Sequence, residues 1–311
     1  MSMSTSSAVA RRSEMLRLVP GPLPLEAAAE LPLAALDTVW IQLTGTLCNI
    51  ACRHCFITCG PKEDRVRMMT HAEVARTLAE AERLGVKEIY FTGGEPMLHP
   101  EFFDVLADSL AVAPTAFLSN GILIDDLAAR RLRQLFDASR YSLDCRISLD
   151  GTSPETNDSV RGRGTFQKIA RGIACLAEVG LAPVVTVVEH QEGMAAAEER
   201  LRFLGLLREL GVTRPRVKFL PLLRIGREPT RTHGYGEDEF VRPEDLTPEV
   251  AERLQCRSCR LVTADGVMTC PLLLDEPEAR LGSALGDALG PIRLRWAACH
   301  TCVSEGLQCR T

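Results

Sequence analysis

Between Thr38 and about Leu220, short β-branched or aromatic runs alternate with segments whose apolar residues recur at helical spacing. The runs are VWIQLT (39–44), KEIYFT (87–92), TAFLS (115–119), DCRISL (144–149), APVVTVV (182–188) and RVKFL (216–220). Six strands separated by helix-length segments predict repeated β-α units and a parallel sheet. A helix is expected from about His71 to Leu84, because Thr70 as N-cap and Glu73 three residues on form a capping box, and Gly85 closes it. Val179-Gly180 and Leu210-Gly211 repeat that ending, and Pro100 suits the first turn of a helix in EFFDVLADSL. After Leu220 the alternation stops. Residues 221–255, rich in Pro, Gly, Arg and Glu, read as a linker with a short helix near EVAERL; residues 256–311 read as a small cysteine-bearing module and 1–37 as an N-terminal extension.

With 311 residues, 46% of them hydrophobic, the chain can bury one large domain and a smaller one. A net charge of -5 gives no global basic field, which argues against nucleic acid as the partner. The early Arg pair is followed by Glu14, Arg17 and Glu26 instead of an apolar core, and no run approaches the roughly 18 apolar residues that span a bilayer. A cytoplasmic location without a membrane partner is therefore expected. In that reducing compartment twelve cysteines point to metal or cluster ligation in place of disulfides. Four lie at 48–59 and six at 256–309; only Cys145 and Cys175 stand alone, in apolar patterns that suit buried thiols.

Cys48, Cys52 and Cys55 form a C-x3-C-x2-C run just after the first strand, at the edge where β-α folds build active sites. Three thiolates can hold three irons of a cubane cluster and leave the fourth open. A zinc site with His54 as fourth ligand is the competing reading of that spacing alone. Thr92-Gly93-Gly94-Glu95-Pro96 follows the second strand, Ser119-Asn120-Gly121 the third, and Ser148-Leu149-Asp150-Gly151 the fourth. Together with His54 and Phe56 around the third cysteine, these motifs resemble the radical S-adenosylmethionine (SAM) superfamily over residues 38–220.

The resemblance implies an α/β fold with a partial (β/α)6 barrel, and a [4Fe-4S] cluster on Cys48, Cys52 and Cys55 whose open iron chelates SAM. Reductive cleavage of SAM would then give a 5'-deoxyadenosyl radical that abstracts hydrogen from a substrate. It implies SAM contacts from Gly93, Gly94, Glu95 and Pro96, from Ser119 and Asn120, from Ser148 and Asp150 near the ribose, and from Arg161 at the carboxylate, with Arg163 as its alternate. Cys59 is not required by the family pattern and reads as an incidental thiol.

Cys256-x2-Cys259, Cys270, and Cys299-x2-Cys302-x6-Cys309 resemble the SPASM module or its shorter relative, twitch, which carry auxiliary [4Fe-4S] clusters, and RGRGTFQKIARGIACL (161–176) and PLLRIGR (221–227) likewise look like members carrying that module. A full SPASM pattern would continue with more cysteines past Cys309. Six thiolates fall short of the eight that two fully ligated cubanes need, so one or two auxiliary clusters stay open, as does a zinc site on the two C-x2-C pairs. Relatives with such tails suggest a peptide substrate; a small metabolite such as an amino-sugar is one alternative, and a non-catalytic zinc or Fe-S protein is the other. With 37 residues ahead of the first strand, a separate leader-peptide-binding protein is expected, alongside an electron donor such as flavodoxin or ferredoxin. Pro271 follows Cys270 where sulfatase-maturing relatives carry an aspartate base, which disfavours that chemistry. Glu189 and His190, at the end of the fifth strand, are candidates for substrate contact.

Overall fold

A computed structural model describes residues 19–306. Cys309 lies outside these residues. The strands are β1 (Glu30–Leu31), β2 (Thr38–Gln42), β3 (Glu88–Thr92), β4 (Thr115–Ser119), β5 (Leu143–Ser148), β6 (Val184–Val188), β7 (Arg216–Leu220), β8 (Cys259–Thr263), β9 (Gly266–Met268), β10 (Arg280–Gly282) and β11 (Ile292–Arg293). The helices are α1 (His71–Arg83), α2 (Phe102–Val112), α3 (Asp126–Ala138), α4 (Pro154–Arg161), α5 (Thr165–Glu178), α6 (Ala197–Glu209), α7 (Pro248–Arg253) and α8 (Ala298–Glu305).

Nine strands form one sheet in the order β10-β9-β8-β2-β3-β4-β5-β6-β7. The pairs from β2 through β7 are parallel, each joined by a helical crossover, as the alternation predicted. Alternate residues serve the two faces. Val39, Ile41, Ile89, Phe91, Phe117, Ile147 and Val185 pack with the helices, whereas Trp40, Tyr90 and Ala116 pack with Cys48, Cys59 and Cys259. Burial on both faces is why these strands read as nearly continuous apolar runs.

The capping box at Thr70 is present, with the Thr70 hydroxyl and the Glu73 carboxylate each taking the other's backbone N–H. Pro100 sits elsewhere than expected. The Pro96–Leu98 turn and His99, whose ring Nδ1 accepts from the Glu101 N–H at 3.1 Å, occupy that stretch, so α2 starts only at Phe102. Cys145 and Cys175 are buried in the helix-side core. The cysteine-bearing tail continues the main sheet: β8 pairs in parallel with β2, and β9 and β10 follow antiparallel. Its far end returns to the N-terminal segment through the β1–β11 pair. Among the described residues no helix is long and apolar enough to cross a membrane.

Candidate functional site

The loop leaving β2 carries Cys48, Cys52, Cys55 and Cys59. Its base is pinned shut: Cys48 N–H donates to Gly60 O at 3.1 Å and Gly60 N–H to Thr46 O at 3.2 Å. The turn after β3 packs against the loop's start. A Cβ on Gly94 would stand 2.0 Å from Leu47 O and 2.3 Å from Leu47 C, so only glycine fits there. That close approach lets Glu95 N–H donate to Leu47 O at 3.0 Å.

Glu95 is fully buried and is held by three donors: the Ser119 hydroxyl at 2.8 Å, the Asn120 N–H at 2.7 Å and the Met97 N–H at 3.1 Å. Burial pushes its carboxyl up to about 7 despite those donors. The Asn120 side chain crosses to the loop, donating to Asn49 Oδ1 at 2.6 Å and lying 3.8 Å from Cys48 Sγ.

On the other side of the loop, Asp150 is fully buried. Its Oδ2 is 2.5 Å from His54 Nε2 and 2.7 Å from Arg161 Nε, and its Oδ1 accepts from Val188 N–H at 2.8 Å. Burial raises the Asp150 carboxyl, but Arg161, His54 and that N–H outweigh it and hold it well below the usual carboxylate range. Arg161 Nη1 also reaches to 4.0 Å from Cys52 Sγ. Of the two candidate arginines, Arg161 is the buried one and Arg163 is exposed.

His190 is buried, donates from Nε2 to Asp150 O at 2.9 Å, and its Nδ1 has no protein partner. Glu189 is half-buried. The hydroxyl of Ser148 lies 3.4 Å from that of Thr186.

The structure thus groups Glu95, Ser119, Asn120 and Cys48 on one flank, and Asp150, Arg161, His54 and Cys52 on the other. The Asn49–Asn120 tie and the His54–Asp150 pair could not be read beforehand, since both join residues at least 71 positions apart.

Among the described residues no three His, Cys, Asp or Glu side chains converge as a single metal ion requires. The fit to a cluster rests on donor chemistry. Burial pushes the Cys48 thiol up to about 11 and Cys52 up to about 12, so these thiols favour the thiolate only beside added positive charge, which cluster irons supply. Cys55 is the exception. The Cys59 N–H donates to its Sγ at 3.3 Å and the Arg227 guanidinium lies near, and these neighbours hold its thiol below the ordinary value.

The C-terminal cysteines meet the same space. A cavity of about 140 Å3 is bounded by His54 and Phe56 of the loop, and also by Cys256, Cys259, Cys270, Cys299 and Cys302. Burial pushes Cys256 up to about 11 and drives Cys299 well above its ordinary value.

The profile of the radical SAM superfamily matches residues 43–204. Mycofactocin maturase MftC of Mycobacterium tuberculosis (strain H37Rv) is 31% identical over 224 residues, covering 71% of this chain and 51% of that protein. A probable GTP 3',8-cyclase of Methanosarcina mazei is 32% identical over 145 residues, covering 44% of this chain and 41% of that protein. The chain spans about half the length, or less, of these curated relatives. In fold, it resembles Streptococcus suis SuiB bound to S-adenosylmethionine with a TM-score of 0.60 at 16% identity, over 89% of this chain and 67% of that one. A profile match over more than half of the residues, on a parallel sheet whose first loop carries the C-x3-C-x2-C run, settles the assignment: the chain belongs to the radical SAM superfamily.

Proposed function

We propose that the protein is a radical SAM enzyme that modifies a peptide, with Cys48, Cys52 and Cys55 as the thiolate ligands of its SAM-binding [4Fe-4S] cluster. When bound, the cluster supplies an electron to the SAM sulfonium and yields a 5'-deoxyadenosyl radical able to abstract hydrogen. The observation that carries the reading is the pair of buried carboxylates flanking the loop, Glu95 beside Cys48 and Asp150 beside Cys52.

The two carboxylates suit different tasks. Glu95 sits in a ring of neutral donors without a cation in hydrogen-bond contact, so a ligand ammonium would complete it; this supports contact with the SAM amino group, and Gly93, Gly94 and Pro96 shape that turn. Asp150 already accepts from Val188 N–H and pairs with His54 and the Arg161 guanidinium, which supports a role in orienting Arg161 toward the SAM carboxylate and fixing His54, with Ser148 left for the ribose.

Five thiols sharing one cavity support a single auxiliary [4Fe-4S] cluster drawn from Cys256, Cys259, Cys270, Cys299 and Cys302, with Cys309 as a further candidate. Two observations favour a peptide over an amino-sugar. Of the two curated relatives named above, the one that covers more of this chain is a maturase, and the cavity lining includes Trp40, Phe56, Leu118, Val188, Leu220 and Leu223, apolar groups suited to an aliphatic or aromatic side chain. A reduced flavodoxin or ferredoxin as electron donor and a separate leader-binding protein complete the proposal.

The test is anaerobic reconstitution followed by dithionite and SAM. Formation of 5'-deoxyadenosine that disappears in the C48A/C52A/C55A variant is expected, and turnover no higher than in that variant would overturn the reading. The candidate peptide substrate is sought as a short precursor encoded beside this gene. Deoxyadenosine formation stimulated only by sugar substrates would overturn the peptide assignment.

A further inference from the structure

The segment following β7 returns to the cluster loop. Arg227 donates from Nη1 to Cys52 O at 3.0 Å and from Nη2 to Cys59 O at 2.6 Å, while its own backbone N–H donates to Cys55 O at 3.0 Å. One residue therefore occupies three carbonyls of a loop from which it is separated by at least 168 positions. The contact depends on the residue before it. Gly226 has φ of +64°, and a Cβ there would lie 2.4 Å from Cys55 O and 2.5 Å from Phe56 O.

These carbonyls need a partner for a physical reason. Within the loop, Cys52 O and Cys55 O take only long bonds from Cys55 N–H (3.4 Å) and Thr58 N–H (3.3 Å), and a buried carbonyl without a good donor costs about 1–3 kcal/mol. The planar guanidinium fork suits two carbonyls at once, which a single ammonium cannot match in direction. Arg65 makes a parallel tie, donating to Ile57 O at 2.7 Å while pairing with Asp275 at 3.0 Å, so the loop is also fastened to the tail.

We propose that Arg227 is a positioning residue of the SAM-cluster loop: its two-carbonyl grip, on Cys52 O and Cys59 O, holds the two ends of the segment that carries Cys55, and its charge stabilises the reduced cluster. The inference rests on the assignment of Cys48, Cys52 and Cys55 as cluster ligands. It reaches beyond that assignment, because the determinant lies outside the cysteine motif, in a stretch whose composition marks a linker. A positive charge beside the cluster favours the state that carries the extra electron, so its loss makes reduction harder.

The experiment compares reconstituted wild type with R227Q and R227K, following only the part of the reduced-enzyme EPR spectrum that changes when SAM is added. At the potential where wild type is half reduced, R227Q is expected to show a reduced-to-oxidised ratio about tenfold lower, equivalent to about 59 mV for one electron. R227K keeps the charge and is expected within about twofold of wild type. Both variants lose the two-carbonyl grip, and both are expected to release iron to a ferrous chelator about tenfold faster than wild type. A wild-type ratio in R227Q together with wild-type iron release in both variants overturns the proposal. If R227Q does not fold, R227K decides through iron release: acceleration supports the grip and a wild-type rate overturns it. A wild type that binds no SAM-responsive cluster would instead refute the ligand assignment, an outcome visible before any variant is compared.

Discussion

Replacing Asp150 with Asn probes the best-buried charge network in the site. Asp150 is fully buried and Arg161 is 7% exposed, so the D150N change leaves the guanidinium without its counter-ion in a place water scarcely reaches. The amide can still accept from the Val188 N–H, so the loss is mainly that of the charge. Breaking a buried pair from one side costs about 3–5 kcal/mol, because the remaining charge stays desolvated. At roughly 2 °C per kcal/mol for a chain of this size, the unfolding midpoint should fall by about 6–10 °C.

The pH dependence follows from the sign of the shift. The carboxyl is held below its ordinary value, so its contribution is present above the unfolded value of about 3.9 and is lost only as pH falls through the folded one. The Asp150 carboxyl itself should therefore add no pH dependence to the D150N deficit between pH 5 and 8. Urea unfolding of the cluster-free protein measures it, and a double variant D150N/R161M should recover at least about 2 kcal/mol relative to the sum of the single changes. A D150N deficit under about 1 kcal/mol, or strict additivity in the double variant, would refute the reasoning.

Gly94→Ala forces a methyl group into the Leu47 backbone, so G94A should retain about four fewer irons per chain after reconstitution, with intact tail iron; iron analysis checks this. Glu95 ionises at about 7, so SAM binding should weaken by up to about tenfold per pH unit below that value, as read by equilibrium dialysis. E95Q should bind SAM weakly with no such pH dependence, and a wild-type profile in E95Q would remove Glu95 from the ammonium site. Iron analysis of the whole protein should give about eight irons per chain, and C256A/C270A should lower that to about four while SAM cleavage chemistry at the first cluster remains detectable.

The strands were legible because burial on both faces leaves little room for polar residues. TAFLS and RVKFL match β4 and β7 end to end, and the other predicted strands differ from the observed ones by one or two residues at an end. The α1 start was legible because a capping box is a local signal. Pro100 misled for an equally local reason: the turn at Pro96–Leu98 and the His99 ring hold the chain back until Phe102.

Contacts between distant segments were not legible. The pairing of β8 with β2 carries no mark in either strand that names its neighbour, so the tail read as an appendage although it extends the main sheet. The composition of residues 221–255 signalled a linker, and although PLLRIGR (221–227) stood out as resembling module-bearing relatives, nothing in it said that Arg227 binds carbonyls of a distant loop. In the site, the motifs singled out Glu95, Asn120, Asp150 and Arg161, but not that Asp150 pairs with the charged Arg161 side chain while the donors on Glu95 are all neutral.

The central claim is a cluster held by three thiolates of one loop with a metal corner that takes SAM. Its most direct measurement is the EPR spectrum of dithionite-reduced, reconstituted protein with and without SAM, for wild type and for C48A/C52A/C55A. The account predicts a reduced [4Fe-4S] signal that changes shape when SAM is added to wild type, and a triple variant that keeps only a SAM-insensitive signal from the tail. A wild-type spectrum indifferent to SAM, with zinc found in place of the loop's iron, would contradict it.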